Sequence, residues 1–564
     1  MAQTARIEAV RRSALWSAAG DALGFMSELT SQAGLKARTG QGHVDRMHVW
    51  RKALNHRPPY VEAELPAGAY SDDTQLRLAV GRSIQSAGRF DVDAFSKIEL
   101  PVWLSYSLGA GKATKAAASN LAKRDVSWWS NFFDVRGSKY VAAGGNGAAM
   151  RIQPHVWAAP RSLSVRDVLK DVVRDAIVTH GHLVGILGAM FHALAVREAV
   201  ESRMVPHPTS WLGYVNAFST LEGIIEADPQ LGSVWLGLWE KSSERSFAKE
   251  LARVKEQCIR MVEKALDYSH RASPDYVSFL QEIGGLDPQT RGSGIVSALA
   301  ASFVSWSQRA KGASGTLVVV ANALGSDTDS IASMAGAIAG CAEGQSLEWS
   351  LQDRPYIEEQ ATRLAKIAEG ERVDSFSYPV LGLFTPPSSQ SDVVGLHAGQ
   401  LALVGLGKAE PRGQVYEADK AEWQWLELWF GQSILAKRRA GTLQPLSSER
   451  LPREPKSTLV PPEMVVESQL GPETQKAFQF RQGSEAARDG RRSGISAERS
   501  NVSERPKRTL DELTDQAIRS DFDDFTLGRL LNECVDSHEG IESAIAFVAI
   551  VAKAKLARRR KLSR

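Results

Sequence analysis

Cysteine is scarce in this chain: among 564 residues only Cys258, Cys341 and Cys534 are cysteines. They stand far apart and outside any CxxC or Cys/His spacing, which excludes a zinc motif and a disulfide framework and makes a reducing cytoplasm the expected compartment. Long apolar runs are missing as well. The N-terminal MAQTARIEAVRR lacks the apolar stretch of a secretory signal, and the run from Ala544 to Ala552 falls far short of the roughly 20 residues that a spanning helix needs. Neither export nor a membrane partner is expected. An excess of one charge is also absent, since 68 Lys and Arg stand against 65 Asp and Glu for a net charge of +3. The chain as a whole therefore carries no polyanion-binding signature. Basic residues do gather at one end, in Lys553, Lys555, Arg558, Arg559, Arg560, Lys561 and Arg564.

What is present is mostly helical patterning. Up to about Gly370 the sequence alternates Ala/Leu/Ile/Val-rich segments with short Gly, Pro, Asn and Asp clusters, and period-2 strands are scarce, so residues 1–370 are predicted to form an all-α domain. Between Asp171 and Val200, for instance, Thr179 sits at a cap position ahead of Leu183, Leu187, Met190, Leu194 and Ala195, which recur at helical spacing. From residue 375 to 446 the texture changes. GLHAGQLALVGLGKAEPRGQVYEA suggests strands and WQWLELWFGQSILAKRR a helix, which together predict a small α+β module of unknown role. Residues 447–508, rich in Ser, Pro, Glu, Gln and Arg, read as a flexible linker, and residues 509–564 as a helical segment with a basic tail.

The features that carry chemistry are two acidic clusters, Ser71-Asp72-Asp73-Thr74 and Gly325-Ser326-Asp327-Thr328-Asp329-Ser330. Each mixes carboxylates with hydroxyls, the oxygen ligands that hard cations such as Mg²⁺ or Mn²⁺ take, and two such clusters can hold a pair of ions roughly 3.5–4 Å apart. Either cluster alone is an ordinary helix N-cap. The second leads into IASMAGAIAGCAEG, a helix with a stripe of small residues, and so lies at a helix N-terminus.

Three further motifs accompany them in order: Gly20-Asp21-Ala22-Leu23-Gly24 with Glu28 beyond it, Gly144-Gly145-Asn146-Gly147-Ala148-Ala149-Met150-Arg151, and Thr179-His180. Taken singly, the glycine-rich loop is a tight turn and the histidine a structural residue after a capped helix. As a set spanning roughly Ala14 to Gly344, the five motifs resemble the ADP-ribosylglycohydrolase family, which includes the dinitrogenase reductase-activating glycohydrolases.

That resemblance implies an orthogonal all-α fold and two Mg²⁺ or Mn²⁺ ions, with Ser71, Asp72 and Asp73 as ligands on one side and Asp327, Asp329 and Ser330 on the other. Ser71 and Ser330 stand where threonine is commoner in the family, and serine keeps the oxygen. The resemblance also implies that Gly144, Gly145, Asn146 and Gly147 meet the diphosphate, that His180 lies near the phosphate or adenosine, and that Glu28 reaches into the cleft. His182 lacks motif support and reads as structural or exposed. The implied reaction removes ADP-ribose from a protein, a nucleic acid or a small conjugate through an oxocarbenium-like transition state, with catalytic proton work open among Glu28, Asp72, Asp73 and Asp327.

Two other readings stand beside it. One is a non-catalytic ADP-ribose-binding module, which the intact acidic clusters disfavour. The other is a nucleic-acid-associated protein acting through the basic C-terminal region, which would find an anionic partner, with Trp423, Trp425 and Trp429 as further stacking candidates. Trp425, Leu428 and Trp429 fall at helical spacing, which favours a core role.

Overall fold

The structure is a computed structural model that describes residues 2–55, 60–271, 274–418, 420–453, 508–535 and 540–562. The helices that build its centre are α1 (Ala2–Phe25), α2 (Asp72–Ser83), α3 (Val165–Thr179), α4 (Leu183–Ser202), α5 (Gly294–Ser307), α6 (Thr328–Ala342) and α7 (Arg354–Ala368). Small residues decide how they meet. A Cβ at Gly20 would stand 2.2 Å from the Ala332 carbonyl oxygen, and one at Gly24 would stand 2.3 Å from that of Thr328, so α1 and α6 pack backbone to backbone only because these positions are glycine. Hydroxyls fasten the seam: Ser13 donates to the Ala337 carbonyl (2.7 Å), Ser17 to that of Ser333 (2.8 Å) and Thr328 to that of Gly24 (2.9 Å). Helix α4 is long and apolar enough to cross a membrane, but most of it is buried among its neighbours, and a helix covered on all sides carries that composition in a folded core too.

The break between α3 and α4 differs from the sequence expectation. Thr179 does not cap α4; it ends α3, and the cap is His182, whose Nδ1 accepts from the Val184 amide at 3.2 Å. Gly181 lies so close to the Tyr140 ring that a Cβ there would meet it at 2.5 Å, so the turn displaces the cap by three residues. The helical region also contains strands. An antiparallel hairpin joins β1 (Trp50–Ala53) to β2 (Glu62–Leu65), with Ala63 and Leu65 inward, and Asp134–Val135 pairs with Ser138–Lys139.

Beyond α7 the chain forms a five-stranded antiparallel sheet in sequence order: β3 (Val394–His397), β4 (Gln400–Leu403), β5 (Gly407–Ala418), β6 (Ala421–Leu428) and β7 (Ser433–Arg439). The expected helix around Trp423 to Arg439 is therefore a hairpin. Gln424, Leu426 and Leu428 point into the core at period 2, while Gly431, at φ +92, makes the reversal that no helix accommodates. The sheet's register pairs Trp423 with Lys437 and Leu426 with Ile434.

The sheet is built into the helical core. Buried Arg82 on α2 donates to both oxygens of Glu99 (2.7 and 2.8 Å) and to Gln432 Oε1 (2.6 Å), and Tyr378 donates to Glu99 (2.6 Å). Asp353 accepts from the Ser433 amide at 2.8 Å. Met1–Leu459 accordingly forms one compact unit and Val460–Arg564 a second.

In the second unit, α8 (Leu510–Arg519), α9 (Asp524–Val535) and α10 (Gly540–Leu562) enclose a small core that includes Leu513, Phe522, Leu530 and Phe547. Thr509 and Glu512 form a reciprocal capping box at the start of α8. Part of the basic end is spent internally, because Arg558 pairs with Asp521 (2.9 Å) and lies over the Phe522 ring. The expected linker falls largely on residues 454–507, outside the described residues, as do the side chains of Arg559, Arg560, Lys561 and Arg564.

Candidate active site

The first acidic cluster is held by a residue from another helix. Asp21, fully buried on α1, accepts from the Ser71 amide (2.9 Å) and the Thr74 amide (2.8 Å), so it caps α2 from outside. Ser71 adds the ordinary cap, accepting from the Asp73 amide at 3.4 Å, and its hydroxyl donates to Asp73 Oδ2 at 3.5 Å. Capping thus occupies Asp21 and Ser71 and leaves the Asp72 and Asp73 carboxylates in the cleft wall.

Asp327 occupies the N-cap position of α6 without making a side-chain cap, so the bland reading of this aspartate fails. Its Oδ2 accepts instead from the Asn146 amide nitrogen (3.1 Å), which also donates to Ser297 Oγ (3.0 Å). Asp329 Oδ1 accepts from the Ser330 amide (2.8 Å), and the Ser330 hydroxyl donates to Asp73 Oδ2 (3.3 Å), joining the two clusters directly. The other Asp73 oxygen is buried with no hydrogen-bond partner among the described residues. No three His, Cys, Asp or Glu side chains among those residues form a closed ligand cluster. Carboxylate and hydroxyl oxygens from both helix ends instead line one space.

Glu28 follows α1 into the same cleft. Burial and the neighbouring charge of Asp327 push it up to about 7, against the opposing influence of Lys52, a hydrogen bond with Asp329, and Arg38. Burial also raises Asp72, Asp73 and Asp329 well above the usual carboxylate range, and proximity adds to it: Glu28 and Asp21 act on Asp72, Asp21, Asp72 and Asp327 on Asp73, and Glu28, Asp327 and Asp73 on Asp329. The site concentrates negative charge faster than Lys52 and Arg77 offset it.

The opposite wall is the GGNG loop and His180. None of its glycines has positive φ; they serve close packing, since a Cβ at Gly147 would meet Thr114 Oγ1 at 2.8 Å and His180 at 3.0 Å. The loop is pinned to the start of α5 by Asn146 N to Gly292 O (2.9 Å) and Gly294 N to Gly144 O (3.0 Å). Beneath it, fully buried Arg151 donates to the Gly147 carbonyl (2.8 Å), to Asp175 Oδ1 (2.9 Å) and to Thr179 Oγ1 (2.9 Å). Burial alone would raise Asp175, yet Arg151 and His155 hold it below its ordinary value.

Arg151 donates to the Thr179 hydroxyl, which is hydrogen-bonded to His180 Nδ1 at 2.7 Å, and His180 Nε2 lies beside Gly145 and Gly147. Burial and then the Arg151 charge push His180 down to about 3, so the imidazole is neutral. His182, the cap of α4, is half-buried and also lines the cleft.

The cleft encloses about 1220 Å³ and brings together Glu28, Asp72, Asp73, Asp327, Asp329 and Ser330, with Gly144 to Gly147 and His180. Ser71 lies behind this wall, fully buried. Sequence reasoning did not single out Asp21 or Arg151 as supports, although each is a lone charge in a small or apolar run, WSAAGDALGF and GGNGAAMRI. Nor did it place Lys52, Trp423 or Lys437 in the cleft, although Trp423 stood among its stacking candidates.

The chain is similar to known proteins. The ADP-ribosylhydrolase ARH3 of Xenopus tropicalis is 23% identical over 295 residues, which is 51% of this chain and 78% of that protein. A solved structure described as an ADP-ribosylglycohydrolase-related protein complex aligns with a TM-score of 0.38 at 20% identity, covering 65% of this chain and 99% of that one. The model of the ADP-ribosylglycohydrolase family matches residues 2–373, more than half of the chain, and takes in both acidic clusters, the GGNG loop and His180; the chain belongs to the ADP-ribosylglycohydrolase family.

Proposed function

We propose that this chain hydrolyses the glycosidic bond between ADP-ribose and an acceptor, with two Mg²⁺ or Mn²⁺ ions held between the N-termini of α2 and α6. The observation that carries the reading is the junction of those two helix ends: Ser330 bonds Asp73 across it, and an Asp73 oxygen remains buried without a partner among the described residues. The donor set fits hard cations, which take carboxylate and hydroxyl oxygens. Asp72, Asp73, Asp327, Asp329 and Ser330 would hold them, with the Ser71 hydroxyl adjacent. Bound there, the cations supply Lewis acidity and offset the crowded negative charge.

The chain's own groups do the rest. Asn146 orients Asp327 through its amide. His180 offers Nε2–H to an oxygen of the diphosphate, beside the loop that Arg151 fixes from below. Glu28 lines the cleft outside both clusters and is assigned the proton transfer to the leaving acceptor, with Asp72, Asp73 and Asp327 stabilising positive charge on the ribose.

The test is release of free ADP-ribose from a panel of defined ADP-ribosylated proteins, nucleic acids and small conjugates, with Mg²⁺, with Mn²⁺ and with chelator. Release that requires the cation is expected. Asp72→Ala/Asp73→Ala and Asp327→Ala/Asp329→Ala should each abolish it while circular dichroism stays that of the parent. Turnover surviving in chelated buffer in a folded double variant would defeat the metal reading.

A further inference from the structure

The family match stops at residue 373, but the cleft does not. Its wall continues onto the five-stranded sheet, where Trp423, Leu435 and Lys437, with Gln390 in the turn ahead of it, line the same space as Glu28 and Asp72. Trp423 and Lys437 are directly opposed on β6 and β7, and the Lys437 ammonium lies 5.2 Å from the centre of the indole. Backbone bonds fix the pair. The Lys437 amide donates to the Ser105 carbonyl (2.7 Å), a few residues before Leu108, whose carbonyl accepts from the Asp72 amide (2.8 Å).

On the other side the sheet is tied to the hairpin that carries Lys52. Trp425 Nε1 donates to the Glu64 carbonyl, and the Glu64 amide donates to the hydroxyl of Tyr416, each at 3.2 Å. Tyr416 is in turn the β5 neighbour of Trp423. An aromatic face and a cation thus hold set positions in the wall, both half-buried.

We propose that Trp423 and Lys437 form a nucleotide subsite that the sheet adds to the family cleft, with the indole stacking on a base and the ammonium pairing with a phosphate. A cationic ligand is disfavoured by the lysine, and an acidic peptide would leave the indole idle. A nucleotide uses both groups, and Lys112, Lys115 and Arg291 line the same cavity with further positive charge. The nucleotide has two possible sources, the adenosine phosphate of ADP-ribose itself or a nucleotide of the acceptor. Only its membership of the substrate rests on the hydrolase reading.

The full chain tests this in Mg²⁺ buffer. Binding of ADP and of an unmodified single-stranded oligonucleotide is measured by calorimetry, and KM is measured for ADP-ribosylated peptide and ADP-ribosylated oligonucleotide. Stacking of one base predicts that Trp423→Ala weakens nucleotide binding roughly ten-fold or more while Trp423→Phe keeps most of it. Lys437→Gln, which removes the charge, should weaken binding and flatten its salt dependence.

Loss of ADP affinity assigns the subsite to ADP-ribose. Unchanged ADP affinity with weaker oligonucleotide binding, and a raised KM for the oligonucleotide conjugate alone, assigns it to an acceptor nucleotide. Parent-like values for all four measurements in folded Trp423→Ala and Lys437→Gln, or a raised KM for the peptide conjugate alone, overturn the proposal. Binding is read without turnover, so a parent protein that binds nucleotide through Trp423 but releases no ADP-ribose defeats only the hydrolase reading.

Discussion

Asp21 does its work on residues 50 and more positions away, capping Ser71 and Thr74 from the middle of another helix. It also faces buried Arg77, whose guanidinium binds Ser17, Thr74 and Ser333 and carries the opposite charge. Asp21→Ala would strip two amides of their acceptor and leave Arg77 short of a counter-charge, a loss of about 3–5 kcal/mol. Urea unfolding measures it, and a change below about 1 kcal/mol would refute the capping role. His192 makes a second expectation at this scale. Buried on α4 with Nε2 2.9 Å from the Gln153 amide nitrogen, it is pushed down to about 3 by burial and by Arg77. The unfolded chain takes up a proton near pH 6.5 that the fold refuses until about pH 3, so stability is full above pH 6.5 and falls as pH drops, by on the order of 1.4 kcal/mol per unit. His180 behaves alike, whereas Glu28, Asp72, Asp73 and Asp329, raised in the fold, act with the opposite sign over the same range. The histidine is therefore read as a difference: between pH 7 and 5 the stability of the parent should fall relative to that of His192→Gln, measured by urea unfolding, and equal pH dependence in parent and variant counts against the assignment.

The seam of α1 and α6 is the element on which the site turns, because it sets Glu28 at the end of one helix against Asp327 and Asp329 at the start of the other. Gly24→Ala would drive a methyl into the Thr328 carbonyl at the N-terminus of α6. We expect a loss of about 1–3 kcal/mol in thermal unfolding and a larger fall in kcat than in stability, since the carboxylates separate. An unaltered kcat in Gly24→Ala would show that the seam does not set the site. This seam was legible in part: GDALG and IASMAGAIAG display small residues at helical spacing, and both acidic clusters fall at helix starts as their sequence suggests. The strands were less legible. WQWLELW satisfies period 2 and helical spacing at once, and the deciding residue, Gly431, acts through a left-handed turn that the pattern does not display. Thr179 misled for a related reason: its hydroxyl serves Arg151 and His180, and the cap passes to His182. Long-range partners, not local propensity, settled each of these.

At the scale of the whole molecule the family match and the compact unit end at different places, residue 373 and Leu459. The five motifs expose the family core because they are local in sequence. What lies between those endpoints was hidden because its importance is in what it covers. The sheet supplies Gln432 to Arg82, Ser433 to Asp353 and buried Leu426, Leu428, Ile434 and Leu435 to the shared core, and Tyr378 ahead of it holds Glu99. A chain ending at Gly370 would keep every metal-ligand candidate, the GGNG loop and Glu28. It would also lose bonds to a buried ion pair and bare an apolar surface, and breaking a buried polar network of this kind costs about 3–5 kcal/mol before any area term. A chain ending at Leu459 loses none of these contacts. We therefore expect the longer truncation to melt with the parent's first transition and to release ADP-ribose from a small conjugate at the parent rate, and the shorter one to be aggregated or to melt far below it. If the chain ending at Gly370 is monomeric, melts with the parent and keeps its kcat and KM, then the sheet is an appendage and the compact unit has no energetic meaning. If it melts with the parent but its KM alone rises, the sheet is dispensable for folding and acts on substrate binding.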